Sequence, residues 1–522
     1  MFLDRRILSP ILLVATVAPY TWATPKITPS LSVSEQYTDN AGLTAQDEED
    51  SFIHQVAPGI SIEDSGAKTD YLVDYNFKHS SYSNSNFDDR NENSLNASVN
   101  RYEFNRSLKL FANARILNVE TDIGSPRFGD GDTGSERTET RTSSAGFDYS
   151  TGARQYYDLK AGALYRHTET DDDNVNVDSI SANLRAINGK RFDNAFWDFG
   201  GTYTEDDNEN RKAINDGLIG VNITSTLGVF AQANREENDL ESGSNFVTES
   251  WGLGLRVTRA NSSLSVAYNT YEKGGQDDNR HFLTANASWN PTRRTSLSAN
   301  YGERFFGETY GLELTHQTRK LKHTLKYSDS VSDFSESIVS GQLVTFLICP
   351  KGNTDPSECK FPTQADIASF DPSKFELVEA DIPLNSISES QVLNRTLSYS
   401  SVYSTAKSKI TGTILWNRSK TLDSQFSSRD YTTQLSGTVS WNWQLGSRTD
   451  LTLSSTAREV EDRETVGTTV TTRDFTQRIS LQRSFSKNVN GTVSYSHSDR
   501  RGDDSSQDIR ENRISTSIIA NF

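Results

Sequence analysis

The sequence predicts an all-β protein, a single-chain antiparallel transmembrane β-barrel of about 24 strands. Three observations carry that prediction. Apolar and polar residues alternate at period two along nearly the whole chain, with no convincing helical period. The breaks between alternating segments are short and long by turns, as in a barrel with tight turns at one membrane face and longer loops at the other. The final segment keeps the alternation to its last residue. Ile514, Thr516, Ile518, Ala520 and Phe522 form one set, and Arg513, Ser515, Ser517, Ile519 and Asn521 form the other. Successive side chains of a strand point to opposite faces, so one face there is largely apolar.

Composition agrees. The 522 residues are 34% hydrophobic with a formal net charge of −17. Soluble globular domains run at about 45–50% apolar, counting Gly. A barrel needs only one apolar residue in two. The 10% aromatic content argues against disorder, which is aromatic-poor. Net acidity disfavours nucleic acid as a partner.

From the front, residues 1–23 read as a secretory signal. Arg5 and Arg6 form the charged start, Ile7 to Ala18 the apolar run, and Thr21-Trp22-Ala23 a cleavage site. Residues 24–522 then form the barrel. No later stretch is a transmembrane-helix candidate, so a membrane must be crossed with strands. Clear strands are Tyr71-Val73-Tyr75-Phe77, Leu108-Leu110-Ala112-Ala114-Ile116 and Tyr157-Leu159-Ala161-Ala163-Tyr165. Trp251-Leu253-Leu255-Val257, Leu435-Gly437-Val439-Trp441-Trp443 and Val489-Gly491-Val493-Tyr495 follow the same rule. Short breaks include Arg259 to Ser262 and Gly446 to Arg448. Long acidic ones include Glu169 to Asp178, Asp206 to Asn210, Glu236 to Asn245 and Asp499 to Asp508. Starting on the short-turn side and alternating, an even count returns Phe522 to that side. Tyr37, Tyr165, Tyr203, Tyr301, Trp289, Trp443 and Tyr495 are expected to form aromatic girdles at the membrane–water boundaries.

One segment departs from the pattern. Residues 332–390 form a long external or lumen-facing loop with both Cys of the chain, Cys349 and Cys359. Two close Cys in an exported chain suggest one disulfide. A zinc site is the alternative, poorly supported because no His or further Cys lies nearby. The apolar stretch Ile338 to Ile348 could pair as a hairpin. Only this loop is expected to be able to obstruct the bore.

The polar face would line the lumen. Lys109, Arg115, Lys160, Arg166 and Arg185 are its basic candidates, and Gln434, Thr438 and Asn442 its uncharged ones. Such a lining suits a hydrated solute or polar polymer. About 24 strands are too many for side chains to fill, since 16–18 already leave an aqueous channel. No catalytic, phosphate-cradling or metalloprotease motif occurs, so no enzyme activity and no cofactor are expected. His316 and His323 flank one basic turn, where a solvated pair is the expected state. The Asp171-Asp172-Asp173 run reads as a solvated loop rather than a Ca²⁺ site, and Arg501-Gly502-Asp503 carries no specificity.

Two resemblances add to this reading. The strand that ends in Ile518, Ala520 and Phe522 resembles the assembly signal of bacterial outer-membrane barrels, which implies the barrel-assembly machinery as a partner. The opening Ile27-Thr28-Pro29-Ser30-Leu31-Ser32-Val33, with Val56-Ala57-Pro58-Gly59-Ile60 and the Cys349/Cys359 loop, resembles the outer-membrane barrels associated with the PEP-CTERM protein-sorting system. That family is linked to exopolysaccharide gene clusters. It implies a Gram-negative outer-membrane location in contact with outer-membrane lipid, a role in exporting polar polymer and polysaccharide-export components as partners. It supplies no site residues. A non-conducting barrel for surface interaction or assembly is the alternative.

Overall fold

The computed structural model describes residues 25–120, 137–152, 156–171, 176–192, 194–207, 210–239, 245–273, 276–304, 306–331, 338–350, 375–386, 392–421, 429–464, 469–503 and 507–522. The signal segment, Cys359 and the acidic run at 172–173 lie outside them. So does the side chain of Cys349, and with it the disulfide.

The chain enters through β1 (Lys26–Thr38), β2 (Ser51–Ser65), β3 (Thr69–Tyr82), β4 (Arg90–Glu103), β5 (Leu108–Glu120) and β6 (Arg137–Ser150). It continues through β7 (Tyr157–Thr170), β8 (Asn176–Asn188), β9 (Ala195–Asp206), β10 (Arg211–Asn222), β11 (Leu227–Asp239) and β12 (Asn245–Arg259). Next are β13 (Ser262–Lys273), β14 (Gln276–Thr292), β15 (Thr295–Arg304), β16 (Gly307–Gln317) and β17 (Leu321–Val331). A separate two-stranded sheet follows, β18 (Ile338–Pro350) with β19 (Phe375–Ser386). The wall resumes with β20 (Val392–Ser404), β21 (Ser408–Thr421), β22 (Arg429–Gly446) and β23 (Thr449–Glu464). It ends with β24 (Thr469–Ser484), β25 (Val489–Gly502) and β26 (Ile509–Asn521).

Twenty-four of these strands form one sheet, each pairing antiparallel with its neighbours. β17 pairs directly with β20, so the inserted β18–β19 pair stands outside the ladder. The apolar segment at 338–348 therefore does pair, though with a partner beyond the Cys region. β26 pairs with β1 from Ser30↔Asn521 to Thr38↔Arg513. That closure leaves no sheet edge, which is what a lipid environment demands of strands.

Face assignment follows from register. Directly opposed residues share a face, and the parity carries through every pairing and returns consistently to β1. Val439 is 58% exposed, whereas Thr438, one residue away, is 7% exposed. The outward set of β12, Trp251-Leu253-Leu255-Val257, is exposed throughout. Apolar groups with nothing over them all round a closed sheet mark a membrane-spanning barrel of the outer-membrane type. Phe522, Ala520 and Ile518 belong to this outward face, and the Phe522 amide donates to the Pro29 carbonyl at 2.9 Å.

The strands outrun the loops expected from sequence on the long-loop side. Glu236 to Asp239 and Asp499 to Gly502, read above as breaks, are strand. Their charged side chains find partners, Glu236 in Arg304 and Asp499 in Arg501, while the backbone ladder continues past the membrane. The Tyr102–Ser107 and Phe305–Thr309 regions each contain a true break.

The outward face records where the membrane stops. Tyr165 donates to Asp178 at 2.6 Å, Tyr327 to Asp329 at 2.9 Å and Tyr301 to Glu308 at 3.3 Å. Each ring lies over the apolar band with its hydroxyl tied to a carboxylate nearer the long loops, the polar-handle arrangement of a boundary residue. All seven His also face outward by register. His54 meets Glu35, His167 meets Asp178 and His497 meets Asn512, each through Nδ1. His316 and His323 are direct cross-strand partners. Their Nδ1 atoms bond elsewhere, to Thr295 and Tyr399.

Inward glycines let the wall bend. Phe196 of β9, Phe230 of β11 and Ala267 of β13 lie on the inner face and form one packed cluster. A Cβ on Gly220 would sit 2.4 Å from the Phe196 ring, and one on Gly254 would sit 2.4 Å from the Phe230 ring and 2.7 Å from the Val266 carbonyl. Flat rings over bare backbone hold this corner. Gly254→Ala is expected to destabilise the barrel by about 1–3 kcal/mol through overpacking. Denaturant unfolding followed by tryptophan fluorescence measures it, and an unchanged midpoint would mean that the corner yields freely.

Candidate functional site: the lumen wall

The inner face divides into arcs of different chemistry. From β20 to β22 it is built of hydroxyls and amides with few charges. Thr396 donates to Asn417 at 3.0 Å, Ser419 to Asn394 at 2.6 Å and Asn442 to Thr452 at 3.2 Å. Thr438 and Thr456 share a bond at 3.1 Å. By register, Gln434, Thr438 and Asn442 all point inward. The strands follow β-propensity, since Thr both favours the pleat and presents a hydroxyl.

The second arc, β5 to β10, mixes charges. Lys109, Arg115, Lys160, Arg166 and Arg185 lie inward by register. They do not form one cluster. Arg185 grips Asp198 with two bonds, at 3.0 and 2.7 Å. Lys109 lies 4.0 Å from Asp148. Lys160 stands directly across from Arg185. Arg115 is half-buried in the wall.

The third arc spans the seam and was not singled out from sequence. Asp474 sits between Arg458 and Arg500, opposite both in register. Arg458 Nε donates to it at 2.8 Å and Arg500 Nε at 2.6 Å. Their side chains are 8–10% exposed. Nearby, Glu511 accepts from Arg513 at 2.7 Å and from Thr38 at 2.7 Å. A comparable link crosses four strands, where Arg304 reaches Glu236 at 3.1 Å. That span requires strong local curvature and agrees with the glycine corner. The signal was present in the inward parity of Arg458, Asp474 and Arg500. Their spacing along the chain gave no hint that they converge.

The first connection covers this seam from inside. Leu43 and Ala45 pack on Ile509, an inward residue of β26. Asn40 holds the turn, accepting from the Thr44 amide at 3.0 Å and donating to the Arg510 carbonyl at 3.0 Å. Leu43 takes a left-handed φ of 51°, a conformation that side chains rarely adopt. Asn84 and Asn86 of the next long connection bond to Glu49. The first connection therefore also turns onto the inner wall at the long-loop rim, an inward contact that its sequence did not indicate. Its reason is local: Leu43 finds an apolar partner in Ile509, so the segment folds over the inner wall.

No protein-family profile matches the chain, and no curated protein matches it. Among solved structures, the siderophore receptor PirA from Acinetobacter baumannii aligns at TM-score 0.46 and 10% identity, over 96% of this chain and 81% of that one. The FrpB iron transporter from Neisseria meningitidis aligns at TM-score 0.42 and 9% identity, over 95% and 82%. The siderophore receptor PiuA from Acinetobacter baumannii aligns at TM-score 0.46 and 8% identity, over 96% and 82%. Among the described residues, no group of three or more His, Cys, Asp or Glu could hold a metal ion.

Proposed function

We propose that this barrel is an outer-membrane pore for a polar polymer, with polysaccharide as the substrate class. The observation that supports it is the hydroxyl-and-amide arc from β20 to β22, which offers a sliding polymer many exchangeable hydrogen bonds and few fixed charges. Sugar hydroxyls can trade one Thr, Ser or Asn partner for the next at little cost, because each exchange replaces one neutral hydrogen bond with another. The resemblance of Ile27 to Val33 and Val56 to Ile60 to barrels linked with exopolysaccharide clusters points the same way. Polysaccharide-export components and the barrel-assembly machinery are the partners this reading implies.

Single-barrel recording in a planar bilayer tests it. A steady ion current with reversible blocks by neutral dextran oligomers is expected. An intact, heat-modifiable barrel that passes no current would leave a surface-interaction or assembly role instead. The first connection, lying over the inner wall at the seam, is the described segment best placed to close the bore in that case.

A further inference from the structure

We propose that the short-turn rim is an electrostatic collar that captures a polyanionic chain, so the polymer carries uronate or other acidic groups. This rests on the pore reading and adds the charge of its substrate. Three of the short turns carry adjacent pairs of basic residues: Lys190 with Arg191, Arg293 with Arg294, and Arg319 with Lys320. Five others carry one each, namely Lys68, Arg106, Lys407, Arg448 and Lys487. All are exposed. Apart from the Lys190–Arg191 turn, whose sequence also holds Asp193, none of these turns contains a carboxylate, and among the described residues none of these basic groups forms an ion pair. Arg106 and Arg191 are held over the rings of Tyr102 and Tyr156, which orders them without neutralising them. The opposite rim has the opposite sign. The first long connection alone holds Asp39, Asp47, Glu48, Glu49 and Asp50 with no basic residue.

A net charge of −17 thus conceals a polarised barrel. Short turns lie on the periplasmic side and long loops outside. The collar meets a chain arriving from the periplasm. Like charges around a low-dielectric mouth focus the field and raise the local concentration of counter-charged solute. The basic character continues below the rim. Lys160 and Arg166 point into the bore without an ion-pair partner among the described residues, while Asp148 and Asp198 are engaged by Lys109 and Arg185. Asp158 shares the face of Lys160. Anionic lipid is the competing occupant. Outward strand residues at this boundary supply three basic groups, Arg101, Arg259 and Arg483, against eleven in the turns, and Arg101 is already paired with Glu103 at 2.7 Å. Most of the charge at this end therefore sits in the turns rather than on the lipid-facing strands.

Polygalacturonate oligomers and neutral dextran of matched length, added to one side at a time during bilayer recording, test this. Blocks by polygalacturonate are expected to be about 10-fold more frequent from the short-turn side and to fall steeply with salt. In the combined variant R293Q/R294Q/R319Q/K320Q that excess should largely vanish, with dextran blocks unchanged. Equal capture from both sides, or an unchanged excess in the variant, overturns the collar while leaving the pore standing. If no current passes, the pore reading fails, and the collar is read from retention of the detergent-solubilised barrel on immobilised polygalacturonate. Salt-sensitive retention lost in the variant supports the collar, and no retention overturns it. Variant-sensitive binding of phosphatidylglycerol micelles without polygalacturonate binding also overturns it, in favour of lipid.

Discussion

Asp474→Ala is expected to cost the barrel about 3–5 kcal/mol, the loss typical of breaking a buried ion pair from one side. Asp474 is shared by two guanidinium groups, those of Arg458 and Arg500. All three side chains are at most 10% exposed, so water in the bore does little to screen them. The substitution leaves two like charges opposed across one strand, both without the Asp474 carboxylate between them. Asp474→Asn should be milder, because an amide oxygen still accepts from one arginine. Denaturant unfolding of the refolded barrel, read by tryptophan fluorescence and by the heat-modified gel shift, measures both. A loss under about 1 kcal/mol for the alanine variant would place these arginines in contact with water and make the triad a surface network.

The second large effect concerns depth. Val439→Arg sets a charge on the outward face of β22, and the expected cost is about 2–4 kcal/mol near the membrane midplane. Thr438→Arg places the same group on the inner face. It should lose little beyond the Thr456 hydrogen bond, a net contribution of about 1 kcal/mol. The long side chain can extend into the bore. The comparison is clean because the two sites are adjacent in one strand and share β21 and β23 as neighbours. Refolding yield into lipid vesicles separates them. Equal damage from both would refute the face assignment.

The sequence by itself determined the wall. Period-two alternation such as Leu435-Gly437-Val439 against Gln434-Ser436-Thr438 names strand and face together, because the side-chain period of a strand is two and one face must meet lipid. It likewise determined the even strand count and the side on which Phe522 ends, since both follow from alternating connection lengths. Only the tertiary structure decided what meets across strands. Register brings Asp474 between Arg458 and Arg500, and curvature brings Arg304 to Glu236 over four strands. Neither is encoded at a fixed spacing. The first connection illustrates the same limit: its acidic composition reads as a solvated loop, yet Leu43 folds inward onto Ile509. A contact between residues 43 and 509 exists only because β26 closes on β1. Alternation fixes which way each side chain points, while closure and curvature fix its neighbours.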